Sequence, residues 1–280
     1  MKKTKTIRFV DCGGNVGQSI HWSLNILDAF SELFDCNVKV DCFEPYPQLF
    51  EIIKGRYSWA PTDKISLHQQ AVDVKDGKRR FYLQEDDART SSSFYKGKES
   101  TYRQIWVSGD LYYKEKETGN ARKLELEWKD PNVEGPVPKI MLKLSPSSIN
   151  ELIHSYGFQP KIDDEELINW IDVETIDIVK WLEESIDSEN EIVILKLDIE
   201  GTEYSVLNKL LHNNLNKMVD VLLVEWTPEE KIASCEDVFG TKQVRTSLRT
   251  EVGKEFRCVL DWHYPEKCVQ PLVDYIKNIL

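Results

Sequence analysis

Apolar and polar positions change period repeatedly along this chain. A short run, Ile7-Arg-Phe-Val-Asp11, breaks into Cys12-Gly-Gly-Asn-Val-Gly17 and then resumes from Gln18 to Phe34, with Ile20, Leu24, Leu27 and Phe30 spaced as on one helix face. Side chains alternate along a strand but repeat about every 3.6 residues in a helix, so the change predicts a strand, a tight turn and a helix. The pattern recurs. Val38-Lys-Val-Asp-Cys-Phe-Glu44 predicts a second strand ending in an acid, and Pro47 and Gly55 bracket a second helix. Residues 65–72 predict a third strand, and Gly77 a turn into a further one at 79–83. Residues 171–182 return to the main pattern as strand and helix, and the helix is stopped by 183–190. Residues 192–201 form an almost continuous apolar run, as expected of a central parallel strand buried on both faces, with Lys196, Asp198 and Glu200 on one face if it stays extended. A helix at 203–211, a fifth core strand at 218–226, a late strand at 256–263 and a closing helix at 269–280 complete the series. Alternating strands and helices predict an α/β fold with a doubly wound parallel sheet.

Between about 84 and 172 the alternation is interrupted. Tyr102, Trp106, Tyr112, Tyr113 and Trp128 give this segment aromatic content that argues against disorder. Lys123-Leu-Glu-Leu-Glu-Trp128 and Lys139-Ile-Met-Leu-Lys-Leu144 predict a hairpin or small added sheet, and 148–156 a short helix stopped by Gly157 and Pro160. The expectation is a single domain over 1–280 with an inserted lid or acceptor-binding subdomain at 84–172. A structural or oligomerisation insert is the alternative.

Composition narrows the classes. A length of 280 residues allows one large domain with a sizeable core, and a net charge of −12 disfavours nucleic acid, whose affinity comes from Lys and Arg at phosphates. No run of eighteen apolar residues exists, so no membrane span is expected, and the apolar stretch after the basic start is too short for a signal-peptide core. The six cysteines show no C-x-x-C or paired metal spacing and are expected as buried thiols in a reducing, cytoplasmic setting.

The glycine turn carries the first candidate chemistry. Gly13, Asn15 and Gly17 do not meet the dinucleotide spacing G-x-G-x-x-G, and Asp11 would repel a pyrophosphate but admit a cationic ligand. An acid at the tip of the second strand, Glu44, suits a ribose diol. Together they describe a nucleoside pocket with one cationic end.

At this point the chain resembles the FkbM-like family of S-adenosylmethionine-dependent methyltransferases. The likeness runs over Phe9-Val-Asp-Cys-Gly-Gly-Asn-Val-Gly17, Phe43-Glu-Pro-Tyr46, Gln70-Ala-Val-Asp73 with Asp76-Gly77, Ser91-Ser-Ser-Phe94, Val173-Glu-Thr-Ile-Asp177 and Lys196-Leu-Asp-Ile-Glu-Gly-Thr-Glu203. It implies a class I, Rossmann-like methyltransferase sheet with S-adenosyl-L-methionine as cofactor and a sugar or other small-molecule hydroxyl as acceptor. Asp11, Gly13, Asn15 and Gly17 would then shape the methionine end, Glu44 would hold the ribose, and Ala71 and Val72 would flank adenine.

For the reaction, Asp198 at the tip of the fourth core strand is the first candidate for base or orienting group, and Glu200 the second. Lys196 would hold Asp198 ionised, or act as base itself if burial depressed its pKa. The bland alternative is a buried Lys-Asp-Glu network that only fixes the loop. Asp198 and Glu225 could also offer hard oxygen ligands to Mg²⁺, which spacing alone leaves open. His21 is expected at the surface; His154 and His263 are weaker acceptor-side candidates. The rival functions are a nicotinamide oxidoreductase, against which the glycine spacing counts, and a non-catalytic binding module.

Overall fold

Parallel neighbours cannot be joined by a tight turn, so each core strand of this chain hands over to a crossover before the next is laid down. The computed structural model describes residues 4–83, 92–95, 111–114, 121–124, 169–232, 235 and 238–280. Among them, β1 (Thr6–Cys12), β2 (Asn37–Phe43), β3 (Ile65–His68), β9 (Glu191–Leu197), β10 (Val221–Val224) and β11 (Val259–Asp261) form a parallel sheet in the order β11-β10-β9-β1-β2-β3. The chain runs outward from β1 to β3, then returns to β9 and runs outward the other way. This reversal opens a crevice at the carboxyl ends of β1 and β9, where ligands bind in sheets of this kind.

Alternation along the strands assigns the two faces. Ile7, Phe9, Ile192 and Ile194 point to one core, covered by α1 (Gln18–Phe34) and the last helix, α7 (Pro265–Ile279), through Ile20, Leu24, Leu27, Leu272 and Ile276. Val10, Cys12, Val193, Leu195 and Leu197 point to the other, covered by α3 (Ile178–Ser185), α4 (Glu203–His212) and α6 (Lys242–Glu255). The remaining helices are α2 (Pro47–Arg56), with Pro47 in its first turn, and the short α5 (Glu229–Ile232).

Two expectations are corrected. Residues 65–72 are not one strand: β3 stops at His68, whose ring stacks on Phe43 at 4.4 Å, and Ala71–Asp73 (β4) leaves for a second sheet. That sheet has the order β4-β8-β5, with β8 (Asn169–Asp177) parallel to β4 and antiparallel to β5 (Gly77–Leu83). So β8 does not rejoin the main sheet. Its pattern, with Val173 and Thr175 buried between exposed Trp170, Asp172 and Glu174, fits a sheet with one wet face rather than a central strand. In the inserted stretch, β6 (Leu111–Lys114) pairs antiparallel with β7 (Ala121–Leu124). The predicted strand at 139–144, the helix at 148–156 and His154 lie outside the described residues. Among the described residues no helix is long and apolar enough to cross a membrane.

The amino ends of the strands are tied by Arg8. Its Nε donates to Asp41 at 2.8 Å, Nη1 lies 3.1 Å from Glu191 and donates to the Ser185 carbonyl, and the guanidinium sits 5.1 Å from the Trp181 ring centroid. Burial pushes the Asp41 carboxyl up, but His68 and Arg8 outweigh it and the net shift is down. A depressed folded pKa means stability that is present above the unfolded value, about 3.9, and lost as pH falls through the folded one. Arg8→Met should cost about 3–5 kcal/mol by stranding the buried carboxylate, and should flatten the acid limb of stability against pH; denaturant titrations from neutral pH downward measure both.

Candidate active site

The site is assembled from strand tips. Asp11 on β1 and Lys196 on β9 are partners in the parallel register, so their side chains stand side by side on one face. Lys196 Nζ lies 3.1 Å from Asp11 Oδ1 and 3.4 Å from Asp198 Oδ2, and donates to the Gly13 carbonyl at 2.6 Å. Ser19, in the first turn of α1, donates to the other Asp11 oxygen. Asp11 is fully buried beneath the turn, so its carboxylate neutralises Lys196 instead of facing a ligand directly. Lys196 is 2% exposed. Burial works against its charge, yet Asp11 and Asp198 outweigh burial and its pKa is raised. It is therefore held as an ammonium, the opposite of what the alternative role as base would need.

The glycine turn follows from this contact. A Cβ at Gly13 would stand 2.0 Å from the carbonyl oxygen of Asp198, and φ there is +90°, so the two strand-end loops approach only because position 13 has no side chain. Glu44 secures the turn from β2: one carboxylate oxygen accepts the Asn15 N–H at 2.8 Å and the other the Tyr46 N–H at 2.8 Å. Burial raises the Glu44 pKa to about 7 against those donors. Gly17 caps α1, and the Tyr57 hydroxyl donates to its carbonyl at 2.8 Å.

Strand β9 ends at Leu197, and residues 198–202 turn before α4, with Glu200 left-handed at φ 55°. Lys196, Asp198 and Glu200 therefore do not share one extended face. Asp198 and Glu200 instead reach the crevice from the turn. Glu203, unassigned in the sequence reading, is fully buried behind it and accepts the Gly201 and Thr227 N–H groups at 2.7 Å each. Burial raises its pKa against those same backbone donors.

Two clefts meet over this turn. The narrower, about 610 Å³ including space open to solvent, is lined by Glu44, Ala71, Val72, Phe43, Phe81 and Phe94 among others. The wider, about 1110 Å³ on the same measure, is lined by Trp22, Lys196, Glu225, Lys231, Trp262 and His263. Gly13, Asn15, Asp198 and Glu200 line both. Trp22 and Trp262 meet edge to face at 4.8 Å, and His263 Nδ1 lies 3.4 Å from Glu225. Burial, then the neighbouring Asp198 charge, raises the Glu225 pKa. Among the described residues no group of three or more His, Cys, Asp or Glu could hold a metal ion. His21 is exposed as expected, and all six cysteines are free thiols.

The narrow cleft sets Glu44 against apolar walls. Each Glu44 oxygen spends one of its two acceptor sites on the loop and keeps another for a diol. Ala71, Val72 and the phenylalanines supply apolar walls for a flat ring. Among known proteins, the Methyltransferase FkbM domain family matches residues 11–239. No curated protein and no solved structure matches the chain.

Lys196→Met should destabilise the fold by about 3–5 kcal/mol, because the buried Asp11 loses its countercharge. Lys196→Met combined with Asp11→Leu should recover part of that loss, and chemical denaturation of the set completes the double-mutant cycle.

Proposed function

The chain belongs to the FkbM methyltransferase family, and we propose that it transfers the methyl group of S-adenosyl-L-methionine to a hydroxyl of a sugar, glycan or other small molecule. The observation that carries this reading is the junction of two unlike clefts at Asp198 and Glu200. One sets Glu44, an acid suited to a ribose, against apolar walls, and the other is wide, aromatic and acidic.

Glu44 would accept the ribose hydroxyls, with Ala71 and Val72 against the adenine. Gly13, Asn15 and Gly17 would shape the turn beside the methionine end, supported from beneath by Asp11 and Lys196. When bound, S-adenosylmethionine supplies an electrophilic methyl group. Asp198 is 29% exposed at the junction, where its carboxylate can accept the proton of an acceptor hydroxyl or aim a lone pair. Lys196 fixes where that carboxylate stands. Most of the rate must come from alignment, since an in-line displacement requires reacting atoms held at about 3–3.5 Å. Trp22 and Trp262 would wall the acceptor, and their flat faces suit the C–H patches of a sugar ring. With Asp198, Glu200 and Glu225 lining it beside Lys231, the wide cleft favours uncharged acceptors over phosphorylated ones.

Calorimetry should show S-adenosylhomocysteine binding and no binding of nicotinamide dinucleotides. Because hydroxyl donors favour the ionised form of Glu44, whose pKa is about 7 in the free protein, affinity should weaken as pH falls below that value. Glu44→Gln should abolish this pH dependence. In a screen of hydroxyl acceptors with labelled S-adenosylmethionine, Asp198→Asn should lower kcat by about 10²–10⁴ and leave homocysteine-analogue affinity within about twofold. Unchanged transfer would remove Asp198 as base, and no transfer to any acceptor by the wild type would favour a binding module.

A further inference from the structure

A tetrapeptide outside the machinery described above touches both halves of it. Ser92-Ser-Phe-Tyr95 is held against the edge of β5 by an antiparallel bridge, with Tyr82 N–H donating to the Ser93 carbonyl at 2.7 Å and Ser93 N–H to the Tyr82 carbonyl at 2.9 Å. Extended backbone sends successive side chains to opposite sides. Here Ser92 and Phe94 line the narrow cleft. Ser93 and Tyr95 point the other way, onto the turn that carries Asp198 and Glu200.

That second face grips consecutive carbonyls. The Ser93 hydroxyl, fully buried, donates to the Glu200 carbonyl at 2.7 Å and accepts the Tyr95 N–H at 3.3 Å. The Tyr95 hydroxyl donates to the Gly201 carbonyl at 3.4 Å. Its ring lies so close to Gly201 that a Cβ there would come within 2.6 Å of Cε2. The residues held this way are in backbone regions that need holding: Glu200 is left-handed without being glycine, and Gly201 has φ +113°. Such conformations persist only where the surroundings over-determine them. On the cleft face, Phe94 is fixed by an edge contact with Phe81 at 5.5 Å and by the Arg79 guanidinium 4.2 Å above its ring.

We propose that Ser92-Ser-Phe-Tyr95 is a latch that couples filling of the narrow cleft to the placement of the Asp198–Glu200 turn, with Ser93 as the positioning residue. The proposal rests on the narrow cleft being the S-adenosylmethionine site. A ligand packed against Ser92 and Phe94 orders the strip, and the same strip sets the Glu200 and Gly201 carbonyls through its other face. By linkage, whatever loosens the grip on the turn weakens the ligand to the same degree.

The test uses S-adenosylhomocysteine as probe, with titration calorimetry and native-state amide exchange on the full chain. In the wild type, the ligand should slow exchange at Gly201 and Thr202 together with Asn15 and Gly17. Ser93→Ala should bind about tenfold more weakly, the scale of one lost hydrogen bond, and should lose the added protection at Gly201 and Thr202 while keeping it at Asn15 and Gly17. Tyr95→Phe, which removes the hydroxyl that meets the Gly201 carbonyl, should show the same pattern at about twofold to threefold and carries the test if Ser93→Ala does not fold. A merely structural role would lower the ligand-free melting midpoint without changing which amides the ligand protects. Wild-type affinity and wild-type protection in a folded variant would overturn the latch alone. Absence of binding by the wild type would overturn the assignment of the cleft and the latch with it.

Discussion

The ammonium of Lys196 is the point on which the site depends. It stands between two carboxylates and a carbonyl that belong to different strands and different loops, and it is closed off from water. Desolvating a charge is costly, and the arrangement is stable because each partner is itself fixed: Asp11 by Ser19 and the register of β1, Gly13 by its turn, Asp198 by the end of β9. A buried ion pair of this kind contributes more to placement than to net stability. It holds the glycine turn against the Asp198 carbonyl at a distance no other residue type would permit.

Placement also explains why the second sheet matters. Strands β4 and β5 do not extend the main sheet; they stand over its carboxyl edge and present Ala71, Val72 and Phe81 to the narrow cleft. The main sheet provides the acids and the tight turns, and the smaller one provides the apolar walls. Glu44 belongs to both arrangements, since it braces the Asn15 turn and also faces the cleft. Its carboxyl sits near neutrality for the same reason the cleft can exclude water.

Much of this was legible in the chain because it is local. The change of period at Gly13, the acid closing β2 and the continuous apolar run of β9 are each written in neighbouring residues, and the elements stand where they predict. Contacts between distant residues were not legible. Lys196 meets Asp11 through lateral pairing of strands far apart in sequence, and nothing near Lys196 announces that second carboxylate. Glu203 looked like an ordinary first-turn acid, and its role emerges only because Thr227 arrives from the loop after β10. The break after His68 was hidden because 65–72 has strand character throughout, and the tertiary stack on Phe43 decides where β3 stops. In β8 the alternation is present in the chain, yet the segment reads as a return to the main pattern, and only its pairing with β4 and β5 places it in the second sheet.

Trp262 and His263 form part of the wide cleft yet lie beyond residue 239, where the family match ends. The narrow cleft lies wholly within the matched residues, whereas the wide one draws on residues both inside and beyond them. Through Trp262, whose ring centroid lies 5.8 Å from the Lys196 ammonium, that outer segment also touches the charge network under the glycine turn.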